Sequence, residues 1–198
     1  SDFISSLFMD QQGVSENSLD DFGRQLPEFL PQWLSDNNIT GLDYLSQLSS
    51  MDWKIQQAYH AADAHAFDFA AYINLSEESQ DIVCFELAPS IQLMAADWPL
   101  KAIVDWHEQG ANTELDVQPV SEHYLVWRQQ WSPQIEPISK SKYELLLALQ
   151  QGQNLSVLAE GECQNELGNL AEWIQKGWVS GFYLASAANS QSIVSDEG

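Results

Sequence analysis

The stretch from His123 to Leu184 limits the possible folds more than any other part of the chain, because its punctuation lays out a complete small module. His123 to Arg128 and Gln134 to Ile138 are short, β-prone runs. The polar segment Gln129-Gln130-Trp131-Ser132-Pro133 lies between them and is suited to a hairpin connection. Ser141 with Glu144 three residues on has the form of a capping box, and Tyr143, Leu146, Leu147 and Gln150 follow at helical spacing up to Gly152. Leu155 to Glu160 is a short helix ended by Gly161. A third helix is expected from about Asn165, with Leu167, Leu170, Ala171 and Ile174 on one face, until Gly177 stops it and Trp178 to Leu184 becomes extended.

Strand, strand, three helices, strand is a winged-helix order. The expected fold class is therefore α+β, mainly helical, with a helical N-terminal part and a winged-helix-like C-terminal module resembling a peptide-recognition element. The expected segmentation is a helical N-terminal domain over 1–75, truncated at its start; a strand, helix and linker over 76–120; the module over 121–185; and a flexible tail over 186–198.

The N-terminal part reads as amphipathic helices. Phe3, Ile4, Leu7 and Phe8 make a short apolar face. Leu19, Phe22, Leu26, Phe29 and Trp33 step along one seam, where Pro27 and Pro31 each remove a donor and predict a kink or two short helices. Thr40 and Asp43 open a long helix over Leu42 to about Ala62, with Leu45, Leu48, Ile55 and Tyr59 in line and Asp52 in the middle of that line. A carboxylate within an apolar seam needs hydrogen bonds or a cation, so Asp52 is the buried polar candidate. His60, Asp63 and His65 cluster beyond it, but histidines five apart do not share a helical face, and no metal site is expected. Ile82 to Leu87 is a strand closed by Pro89. Asp97-Trp98-Pro99 starts a helix carrying Leu100, Ile103, Val104 and Trp106, and Gly110 to Pro119 is a polar linker.

Charge narrows the functions. Seven basic residues against 29 acidic ones give a net charge of −22, which opposes a phosphate backbone. The least acidic part is 122–184, where Arg128, Lys140, Lys142 and Lys176 face seven carboxylates. The third helix offers Asn165, Glu166, Asn169, Glu172, Gln175 and Lys176 on its polar side, poor equipment for reading a DNA groove. DNA-binding transcriptional regulation through the module is the alternative reading. A Gly-rich phosphate loop, GxSxG and HExxH are all absent from the sequence, so no catalytic residues and no cofactor are assigned and a non-enzyme is expected. Cys84 and Cys163 form no metal or redox motif, and without an apolar span or a leader the expected compartment is the cytoplasm.

Asp21 to Asp63, with Phe22-Gly23, Pro27-Glu28-Phe29-Leu30, Tyr44-Leu45, Trp53 and Ala58-Tyr59-His60-Ala61-Ala62-Asp63, resembles a bacterial family of unknown function that carries a DNA-binding-domain label. Ala88-Pro89-Ser90, Trp98-Pro99, Trp106-His107 and Val126-Trp127-Arg128 extend the resemblance over about residues 18 to 180. Members of that family look like companions of multinuclear non-haem iron-dependent oxidative (MNIO) enzymes that modify ribosomally made, cysteine-containing precursor peptides. The resemblance implies a peptide-recruiting adaptor whose partners are a precursor peptide and such an enzyme; the charge disfavours nucleic acid as a partner, and no membrane is expected. It also implies further helices before Ser1.

In peptide-recognition elements, a leader adds as a strand beside the strand that precedes the first helix and lies against the third helix. Carried over here, the docking edge is Gln134, Ile135, Glu136 and Ile138. Leu170, Trp173, Ile174 and Trp178 form the helical wall, with the two tryptophans as the more exposed contacts. Pro137 lacks a backbone donor, so an added strand pairs fully only if that position points away from it.

Overall fold

The structure is a computed structural model that describes residues 19–108, 117–161 and 164–185. The apolar face at Phe3 to Phe8, most of the linker, Cys163 and the tail over 186–198 lie outside the described residues. The fold is mixed α+β, with a helical stretch first and then a region of small antiparallel sheets and helices.

Helix α1, Leu19–Asp36, runs through both Pro27 and Pro31 as one helix, where a kink or two short helices were expected. Pro31 has no N–H to give the Pro27 carbonyl. The Ser46 hydroxyl of α2, Leu45–His60, donates to that carbonyl instead, at 2.7 Å. A neighbouring helix thus supplies the bond that proline removes. The two helices also approach closely at Gly23, where a β-carbon would lie 2.6 Å from Cε3 of Trp53.

Helix α2 begins three residues later than expected, after Tyr44, with no side-chain cap. Tyr44, Met51 and Ala58 are buried and Leu48 and Ile55 pack against them, so the true seam is 44, 48, 51, 55, 58. Reading the seam through the half-exposed Tyr59 rotated it by one position. That rotation placed Asp52 inside, whereas the structure leaves its carboxylate exposed to water, and it is not a buried polar group.

Two short helices, α3 (Phe69–Ile73) and α4 (Glu77–Asp81), lead into β1, Val83–Leu87. A tight turn through Pro89 then starts β2, Gln92–Ala96, a strand that the sequence reading missed. After α5, Leu100–Glu108, come β3, Glu122–Gln129, and β4, Ser132–Ile138. They are joined by only two residues, Gln130 and Trp131, with Gln130 at φ 56°. The strands therefore consume most of the expected five-residue connection.

Helix α6, Lys140–Gln150, is capped by Ser139, whose hydroxyl accepts from the Lys142 amide at 3.1 Å. The expected cap, Ser141, instead donates to Glu166 at 2.7 Å. Helix α7, Leu155–Glu160, is followed by a 3₁₀ helix, Gln164–Asn169, and by α8, Leu170–Gln175. The 3₁₀ helix tightens what the spacing had predicted as one α-helix. Strand β5, Val179–Leu184, ends the described chain.

Two sheets result. One has the order β2-β3-β4, and the other pairs β1 with β5. The final strand thus joins β1 and not the β3–β4 hairpin, so the C-terminal sheets draw on residues from both sides of position 120. Strand β3 is the wall between two cores. Its Tyr124 and Val126 pack with Met51, Ala58, Leu100 and Ile103, while Leu125 packs with Val83, Leu145, Leu149, Trp173 and Trp178. Period-two alternation is what lets one strand serve both cores.

Candidate functional site

Strand β4 is an edge strand, paired only with β3 among the described residues. Directly opposed residues in an antiparallel ladder alternate between pairs that exchange both backbone bonds and pairs that exchange none. The loop has two residues, and a hairpin loop of that length is closed by a bonded pair, which the register makes Gln129/Ser132. Bonded pairs then fall at Trp127/Gln134, Leu125/Glu136 and His123/Ile138. Pro133, Ile135 and Pro137 stand at the alternate positions and turn their backbone toward the free edge. Proline is tolerated there because no β3 carbonyl awaits its missing N–H. The consequence for an added strand is severe, since Ile135 is the one outward donor along the proposed docking edge. Pro137, and Pro133 with it, points toward the visitor, the orientation that prevents full pairing.

Alternation also divides the proposed side chains. Ile135 packs on the face shared with Tyr44 and Met51, whereas Ile138 packs on the opposite core with Trp173 and Trp178. Gln134 donates to the Ser132 hydroxyl at 3.2 Å, and Glu136 pairs with Lys142 at 3.2 Å. The helical wall lies mostly inside. Trp173 and Trp178 are each 1% exposed, so neither is the partly exposed contact that was expected. Trp178 stacks edge-on against Trp127 at 5.2 Å and lies 6.2 Å from Trp173, a layer that joins β3 to α8. Leu170 and Ile174 are partly buried against the same core.

Lys142 and Lys176 each place their ammonium 4.6 Å from the Trp178 ring centroid. Each is also matched by a carboxylate, Glu136 for Lys142 and Glu172 for Lys176, the latter at 2.7 Å. The hydrogen bond from Lys176, and then its charge, hold the Glu172 carboxyl below its usual range. The charges of the cluster are matched, although the buried Trp178 indole N–H has no hydrogen-bond partner among the described residues, and the cluster ties β4, α6 and α8 together at the edge of the proposed groove.

A second tie went unread in the sequence. The Arg128 guanidinium donates to the Tyr59 carbonyl at 2.6 Å and to Asp63 at 2.5 Å, clamping the end of α2 to β3. A cation beside terminal helix carbonyls is favourable, and its partners are 65 or more positions away in sequence. Tyr124 Oη donates to Glu122 and accepts from the Lys101 amide at 3.3 Å. Burial, then the Glu122 bond, push its hydroxyl far above the ordinary tyrosine value. Among the described residues, no three His, Cys, Asp or Glu side chains converge as a metal site, and no helix is long and apolar enough to cross a membrane.

No family model matches the chain, and no curated protein matches it.

Proposed function

We propose that the protein is a non-catalytic partner that holds an extended segment of a ribosomally made precursor peptide and presents it to an iron-dependent modifying enzyme. The observation that carries this reading is the layout of the C-terminal region: an antiparallel three-stranded sheet whose edges have no strand partner among the described residues, and whose last strand is one residue from the first of three helices. That layout is consistent with a winged-helix-like peptide-recognition element. Unpaired backbone at a sheet edge binds an extended chain irrespective of its sequence, while alternate side chains select among chains.

The last α-helix of the set is ill suited to DNA. It is six residues long, buries Trp173, and exposes Ala171, Glu172 and Gln175. A net charge of −22 opposes nucleic acid further.

The test is a mild affinity purification of the tagged full-length protein from its native cells, with mass spectrometry of the eluate and a nuclease-sensitive assay for DNA. Co-elution of an iron-containing enzyme together with a small cysteine-bearing peptide is the expected result. Specific DNA without either would replace this reading with transcriptional regulation.

A further inference from the structure

The edges of the two sheets differ in a way that bears on where a peptide docks. On β5, the Ala185 amide donates to the Ile82 carbonyl at 2.9 Å, so the adjacent Val83/Leu184 pair exchanges no bonds. Alternation makes Cys84/Tyr183 bonded and Phe85/Phe182 unbonded. Phe182 and Leu184 therefore turn both N–H and C=O away from β1. Unlike β4, β5 contains no proline, and among the described residues it has β1 as its one strand neighbour. The other side of β1 is already occupied by a bridge from Cys84 to Asn154, so β5 is the open edge of this sheet.

The surroundings specify the visitor. Tyr183 and Leu184 are 45% and 43% exposed, and Ile82, Phe69 and Ile73 are exposed as well. Phe182, on the same face of β5 as Leu184, meets Phe67 and Tyr72, and Phe69 packs on Phe67, so an exposed apolar surface flanks this end of the strand, where a chain of alternating apolar character can extend it. Toward the other end, the Glu86 carboxylate lies against Gly181, with Oε2 2.7 Å from where a β-carbon would be. Glu86 also lines a cleft with Asp63, His65 and Ser180. Residues 61–100 include Asp68, Glu77, Glu78, Asp81, Glu86 and Asp97, besides Asp63, which Arg128 neutralises, but no Lys or Arg of their own, and β5 has none either. A second copy of so acidic a chain is repelled from this edge, whereas a basic chain is drawn to it.

We propose that the outer edge of β5 receives an extended, basic segment of a partner polypeptide as an added strand. The assignment rests on the peptide-holding reading and relocates the docking edge from β4 to β5.

The experiment uses the isotopically labelled full-length chain and two amidated heptapeptides, one alternating Lys and Val and one alternating Glu and Val. It follows amide hydrogen exchange by NMR. In the free chain, Phe182 and Leu184 should exchange faster than Tyr183, whose amide faces β1. The Lys/Val peptide should slow Phe182 and Leu184 by about tenfold or more, and the Glu/Val peptide should not. Leu184→Pro removes an outward donor without touching the bonds to β1 and should weaken Lys/Val binding by about tenfold, whereas Ile135→Pro should leave it unchanged.

Protection appearing at Ile135 instead would sink the β5 assignment and leave the peptide-holding reading standing. Protection of Phe182 and Leu184 in the free chain would overturn it in favour of the chain's own terminal segments or, if sedimentation shows a dimer, of a second copy. No protection by the Lys/Val peptide also overturns the assignment, and the co-purification above then decides the wider reading separately.

Discussion

The Ser46 hydroxyl acts as a substitute for the N–H that Pro31 lacks, and this makes a prediction with an internal control. Ser46→Ala leaves the Pro27 carbonyl, at a part-buried helix contact, without its 2.7 Å donor. Stranding such an acceptor costs about 1–2 kcal/mol. With a urea m-value of about 2 kcal/mol/M, that lowers the unfolding midpoint by roughly 0.5–1 M. Pro31→Ala restores an amide four residues after Pro27 and removes the ring from the helix interior. It should stabilise the protein by about 2 kcal/mol, less than the full interior-proline penalty because the unfolded chain also becomes freer. In the Pro31→Ala background the carbonyl has its helical donor again, and Ser46→Ala should cost less than about 0.5 kcal/mol. The coupling expected from the cycle is about 1 kcal/mol. Urea unfolding of the four proteins, followed by far-ultraviolet circular dichroism, measures it. An equal cost of Ser46→Ala in both backgrounds would refute the substitution argument and reduce Ser46 to ordinary packing.

Further expectations follow from burial and charge. Asp52→Ala should change stability by no more than about 0.5 kcal/mol in the same urea assay, since the carboxylate is exposed. Trp173→Ala should cost about 3–5 kcal/mol or abolish folding, because a fully buried indole is lost from the layer that joins β3 to α8. Tyr124 ionises above its ordinary value of 10.0 in the folded state, so the stability it contributes is complete below pH 10 and is lost as pH rises beyond that through the folded-state value. Tyr124→Phe should therefore flatten the alkaline fall in melting temperature while lowering stability at neutral pH.

What the sequence discloses about this protein is local. Gly152, Gly161 and Gly177 punctuate the module where the structure does, and the α6 and α7 segments and β1 stand within a residue or two of their expected bounds. The errors lie where a distant partner decides. Ser139 and Ser141 are both competent caps. Ser139 takes the Lys142 amide, while both hydroxyls reach Glu166 from across the module, Ser141 at 2.7 Å and Ser139 at 3.4 Å. Pro27 and Pro31 are helix breakers by local rule, and a hydroxyl on another helix offsets one of them. Trp173 and Trp178 are of a type seldom fully buried, and only the meeting of β3, α6 and α8 encloses them. The direction in which Pro133 and Pro137 point depends on a hairpin register set by a two-residue loop, and the five residues expected as the connection carry no sign of it. The partner of β5 was hidden for the same reason: strand pairing carries no mark in the strand itself.

The union of β1 with β5 has a bearing on how the chain acquires its shape. Val83 meets Leu184 across about a hundred intervening residues, a separation that slows the search for native contacts. Residues between them supply β2, the central β3 and the helices that cover it, so β1 has no strand partner until almost all of that material exists. During synthesis on the ribosome, α1 and α2 can associate early through neighbouring segments, whereas the core that holds Trp173 and Trp178 forms in one late step. In that interval Val83-Cys84-Phe85 is a bare apolar strand, the kind of segment that chaperones bind and that aggregates when they are scarce.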